Sequence, residues 1–171
     1  MFNKNIKLVL AFLIVAFAGY QFVEGEIGNG IFLILLALIF VFLYFRNELI
    51  LLAFLRMRKQ DLEGTEKWLN KIRNPEAALT TKQQGYYNYL HGIIYSQKNL
   101  SQAEKYFRRA LKLGLNMDYD VAMAKLSLAG IAMQKRRKRE ATTLLQEAKK
   151  LDKNNMLGDQ IKMMQQQLKR I

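Results

Sequence analysis

The sequence contains no cysteine, one proline, one histidine and one tryptophan. Without cysteine there is no disulfide, no thiolate metal site and no thiol nucleophile. The lone histidine, His91, has no second histidine or suitably spaced carboxylate cluster beside it, and a metal needs three or four converging ligands. A packed role at a helix crossing is the plainer reading of it. Pro75 is the only proline, and the β-branched alternation of strands is missing, so everything from Asn47 onward reads as helix. No Ser-His-acid set, phosphate-binding glycine loop or dinucleotide fingerprint can be assembled. None of the carboxylates stands in an apolar stretch that would tune its pKa for catalysis. These absences argue against an enzyme, a cofactor and a small-molecule substrate. Acidic charge is also scarce: 14 Asp and Glu stand against 27 Lys and Arg, a formal net charge of +13.

What is present is segregated. Leu8 to Val23 carries no charge and only Gln21 as a strongly polar residue, and Ile31 to Phe45 is polar only at the Tyr44 hydroxyl. With their flanks these runs fit two spans, 6–23 and 29–46, each near the roughly 20 residues that cross a hydrocarbon core. Glu24-Gly25-Glu26-Ile27-Gly28-Asn29-Gly30 is too short to fold alone, so the spans must be antiparallel. The turn holds no basic residue. Lys4 and Lys7 precede the first span, and Arg46, Arg56, Arg58 and Lys59 follow the second. The positive-inside rule therefore predicts a multi-pass inner-membrane hairpin, residues 1–46, with both termini cytoplasmic. A signal peptide competes for residues 1–18, because Ala16-Phe17-Ala18 has the A-x-A form. Apolar character continuing to Phe22 and Val23 argues against cleavage. Arg46 and Glu48 mark the interface, and the simplest path beyond them is one continuous helix into residues 47–171.

That second segment predicts an all-α domain. Ser101 with Glu104 three residues on reads as a capping box. Gly114 reads as a left-handed C-cap, Thr80 or Thr81 as one N-cap and Asp118 as another. Repetition is visible. In residues 84–117 the periodic set is Tyr87, Leu90, Ile94, Leu100, Ala103, Phe107, Ala110 and Leu111. In residues 122–155 it is Leu128, Ala129, Ala132, Ala141, Leu145, Ala148 and Leu151. A degenerate unit over 45–78 holds Leu51, Leu52, Leu55, Gly64, Trp68 and Ile72, and a closing helix covers 156–170. From Asn47 onward the chain resembles the tetratricopeptide-repeat family, with Tyr87 in the place of the usual Trp and small residues at the helix crossings. It departs from that family at His91, Lys125, Leu115 and Lys153, and a generic array of helical hairpins satisfies the same crossings.

The resemblance implies a concave docking face lined by the first helix of each pair. Here that face would hold Arg56 and Met57, then Asn88, Gly92, Tyr95 and Ser96, then Met123, Leu126, Gly130, Met133 and Gln134. Such an apolar, methionine-bearing lining suits an adaptable protein partner. The alternative is that these residues pack on the closing helix. The strongest local charge signal is Lys135-Arg136-Arg137-Lys138-Arg139, with Arg108-Arg109 and Lys149-Lys150 as further basic pairs. It reads either as a solvated turn or as a contact for RNA, ribosome or anionic-lipid phosphates. Two functions follow: a membrane-anchored adaptor that docks a protein within a larger membrane assembly, or an electrostatic tether acting through 135–139.

Overall fold

The computed structural model describes the backbone of residues 4–45 and 47–170. Every regular element among them is helical. In chain order these are α1 (Lys4–Val23), α2 (Ile27–Phe45), α3 (Glu48–Arg58), α4 (Leu62–Leu69), α5 (Pro75–Ala78), α6 (Thr81–Lys98), α7 (Leu100–Leu113), α8 (Asp118–Gln134), α9 (Lys138–Leu151) and α10 (Gly158–Lys169). Two units divide the chain, one up to Leu51 and one from Leu52. The division falls inside α3, a little beyond the limit at residue 46 that the charge pattern suggests.

In the first unit α1 and α2 pack together as a helical hairpin. The residues buried along them are small: Ala11, Ala18, Ala37 and Gly30. A side chain at Gly30 would lie 2.7 Å from the Phe22 ring, so its absence makes the room for that ring. Small residues let apolar helices approach closely. Gly25, at φ +81°, takes the left-handed position that ends α1, and the Glu26 amide then donates to the Gln21 carbonyl at 2.9 Å. Among the described residues α1 is the one helix long and apolar enough to cross a membrane, over Ile6–Val23, while the apolar stretch of α2, Ile27–Phe42, is shorter. The expected pair of equal spans is thereby reduced to one full-length candidate. Arg46, read as an interface marker, lies outside the described residues, as does the Lys4 side chain.

The continuous helix expected from α2 onward is broken. α2 ends at Phe45, and Asn47 Oδ1 accepts from the Leu49 amide at 3.0 Å, a side-chain cap that starts α3 afresh. Lys7 pairs with Glu48 across the foot of the same unit.

In the second unit, helices joined by very short connections form successive hairpins: α6 with α7, and α8 with α9, followed by α10 against both α8 and α9. Ala103, Phe107 and Ala110 of α7 are fully buried, and Ala141, Leu145 and Ala148 of α9 occupy the same places one hairpin on. In the degenerate N-terminal hairpin the buried small pair is Ala53 and Thr65, with Thr65 Oγ1 donating to the Asp61 carbonyl at 2.7 Å. Of the periodic set assigned to residues 45–78, Leu55 is exposed while Ile72 is buried.

The caps separate correct readings from errors. Thr80 caps α6 in a full capping box with Gln83. α7 is capped by Asn99, whose Oδ1 accepts from the amides of Ser101 and Gln102 at 3.0 and 3.1 Å, and not by Ser101. Met117 precedes α8 without a side-chain cap, so Asp118 is the first helical residue and no cap at all. Gly114 does end α7 with φ +87°, but its ψ of 142° is extended rather than that of a left-handed turn.

Candidate functional site

The face expected to be concave is assembled from α6 and α8, and most of it is occupied. Arg56 is exposed and pairs with Asp61 at 3.3 Å. Asn88 is buried, its Nδ2 donating to the Gln84 carbonyl at 2.7 Å. Ser96 Oγ donates to the Gly92 carbonyl, and Gly92 is filled from below by the Phe107 ring, 2.7 Å from where a Cβ would stand. Met123 is half-buried between the two core clusters.

Leu126 and Met133 require a correction. Each is only 6% exposed, in one cluster with Leu157, Ile161 and Leu168. α10 is amphipathic, and laying its Ile161–Leu168 face on α8 buries the apolar residues of both helices. Gly130 eases that approach, since the Met164 methyl stands 3.4 Å from its missing Cβ. The C-terminal helix thus closes this end of the groove. A cleft of about 370 Å³ remains at the seam, lined by Gly130, Met133, Gln134, Met164, Gln167 and Arg170.

The basic turn is organised by one carboxylate. Glu104 accepts a two-pronged contact from Arg137, at 2.9 and 2.6 Å, another from Lys135 at 2.9 Å and a third from Arg108 at 2.9 Å. Arg137 and Arg108 also reach Glu140. The Arg137 fork, helped by Lys135 and Arg108, holds the Glu104 carboxyl well below the usual carboxylate range. Arg136 sits in the left-handed region at φ 56°, where its amide and that of Arg137 close α8 on the Met133 and Ala132 carbonyls at 2.9 and 2.8 Å. Lys135 and Arg137 are therefore spent on structure. Arg136, Lys138 and Arg139 are exposed and make no ion pair among the described residues.

Sequence reasoning missed an aromatic cage. His91 is 5% exposed and meets Tyr87 edge-on at 4.5 Å and Tyr106 face-on at 5.1 Å, with Tyr95 stacked on Tyr106 at 5.2 Å. Tyr87, His91 and Tyr95 recur every fourth residue along α6, which is the signal that could have found them. Neither ring nitrogen of His91 has a hydrogen-bond partner among the described residues, and burial lowers its pKa. Tyr86 is bonded through its hydroxyl to Asp120 at 2.6 Å, and burial together with that carboxylate pushes it up to about 12. No three His, Asp or Glu side chains converge among the described residues to hold a metal. Comparison with protein-family models, with curated proteins and with solved structures gave no match.

Proposed function

We propose that this chain is a membrane-anchored adaptor. A two-span hairpin fixes it in the inner membrane, and a tetratricopeptide-like domain docks a protein partner at the cytoplasmic face, within a larger assembly. The observation that carries the anchor is a contrast of burial. The second unit buries its apolar residues in two clusters, whereas α1 and α2 turn theirs outward, with Phe12 72% and Phe32 65% exposed. Exposed apolar surface on that scale fits a lipid environment. As for α2, its 19 residues Ile27–Phe45 hold no charge and span about 28 Å at 1.5 Å per residue. The Lys7–Glu48 pair supports one shared side for the two outer ends of the hairpin. The repeat reading is supported by the matched buried triplets Ala103, Phe107, Ala110 and Ala141, Leu145, Ala148.

The docking site is the residual α8–α10 cleft rather than the whole face. Its two methionines adapt to an apolar anchor, its glutamines offer hydrogen bonds, and Arg170 together with the net charge of +13 favours an acidic segment. The test is recovery of bound protein by the full chain in mild detergent. Gln134→Glu with Arg170→Glu should abolish recovery, and Arg136→Ser with Arg139→Ser should leave most of it. The opposite pattern, with binding that collapses at raised salt, would favour the tether reading through residues 135–139.

A further inference from the structure

A second cleft, of about 640 Å³, lies between α9 and α10 and is lined by Lys138, Thr142, Lys162, Gln165, Gln166, Leu168 and Lys169. We propose that it binds a phosphate group, independently of the docking cleft. Three lysines line it, no carboxylate does, and none of the three makes an ion pair among the described residues. Several other basic residues of this unit are matched, Arg108, Lys135 and Arg137 on Glu104, Lys125 on Glu147, Lys98 on Glu66 and Lys153 on Asp118, whereas Arg136 and Arg139 are, among the described residues, unpaired like the three lysines. Like charges gathered round one hollow repel one another, and an anion within it relieves that repulsion.

The hydrogen-bonding inventory narrows the ligand. The Thr142 hydroxyl already donates to the Lys138 carbonyl at 2.9 Å. The free donors are then the three ammonium groups and the carboxamides of Gln165 and Gln166, a set that asks for a ligand rich in acceptors. A phosphate, with its negative oxygens, answers both the charge and the donors. Two sources share that chemistry: the phosphodiester of an anionic lipid headgroup, and a free phosphate compound.

The experiment is lysine footprinting on the full chain in dodecyl maltoside micelles. Acetylation rates are read peptide by peptide with inorganic pyrophosphate or with dioctanoyl phosphatidylglycerol present. Lys138, Lys162 and Lys169 should be slowed at least fivefold, while Lys112 and Lys149 are unaffected. In the Lys162→Gln, Lys169→Gln variant, half-protection of Lys138 should need at least tenfold more ligand, with helicity by circular dichroism unchanged. Protection at lower concentration by the lipid assigns the site to a headgroup, and the reverse assigns it to a free phosphate. No protection by either compound, equal slowing of Lys112 and Lys149, or protection by single-stranded RNA alone would overturn the proposal.

Discussion

Two glycines in helix interiors should answer the same substitution with opposite signs. Glycine inside a helix is worth about 0.8–1.0 kcal/mol less than alanine, so on propensity alone both changes stabilise. At Gly130 a new Cβ meets only the Met164 methyl, at 3.4 Å, and that is the far end of a flexible side chain. Gly130→Ala should therefore keep most of the gain, about 0.5–1 kcal/mol. At Gly85 the new Cβ would stand 2.3 Å from the Gly114 carbonyl oxygen. That oxygen is backbone at the end of α7, and it can move only by pulling the α6–α7 hairpin apart. Overpacking of this kind costs about 1–3 kcal/mol and cancels the propensity gain, leaving Gly85→Ala a net loss of up to about 2 kcal/mol. The two variants should then differ by roughly 2 kcal/mol, several degrees in Tm for a domain of this size. Thermal unfolding of the full chain in detergent, followed by circular dichroism, reads the difference. Equal stability, or a more stable Gly85→Ala, would refute the close approach of α6 to Gly114 on which the hairpin geometry rests.

Other perturbations probe the remaining pieces. Glu104→Gln should destabilise by about 1–2 kcal/mol at pH 7, the lower part of the range for charged hydrogen bonds because its partners are partly solvated. The folded carboxyl titrates below its ordinary 4.5, so that contribution is present above pH 4.5 and is lost as pH falls through the folded value. Denaturant titrations of parent and variant should accordingly converge in acid. His91→Phe should gain about 1 kcal/mol by removing two buried nitrogens that lack partners. It should also remove the His91 share of the stability that the parent is expected to lose below pH 6.5, where the unfolded imidazole takes a proton that the caged one resists despite Glu66. Arg136→Gly should stabilise by about 1 kcal/mol by relieving a left-handed residue, and a lower Tm would contradict the α8 turn described above.

How much of this was legible depended on the kind of signal. The apolar runs gave α1 and α2 because their hydrophobicity is unbroken, and the small residues at 103, 110, 141 and 148 gave the crossings because only small side chains fit there. The capping readings fared unevenly. A threonine cap at 80 or 81 was visible from residue type, and the structure takes Thr80, but Ser101 lost to Asn99 because Glu104 is held elsewhere, by Arg137, a contact that no local pattern records. The groove was misjudged for a related reason. Leu126 and Met133 have the spacing of a docking face, and equally of a core face, and only the placement of α10 decides between them. The basic run hid a division of labour, since its members differ not in residue type but in which can reach Glu104. The lysine-lined cleft was invisible to local reading because it joins Lys138 to Lys162 and Lys169 across two helices.

The absence of cysteine makes the central claim directly measurable. Single cysteines at Asn29, in the first turn of α2, and at Asn154, between α9 and α10, can each be exposed to an impermeant thiol reagent on intact cells. A two-span anchor with both termini inside predicts that Asn29→Cys labels from outside and that Asn154→Cys labels only after permeabilisation. Labelling of both positions alike would contradict the second span, and the reverse pattern would contradict the cytoplasmic placement proposed for residues 47–171.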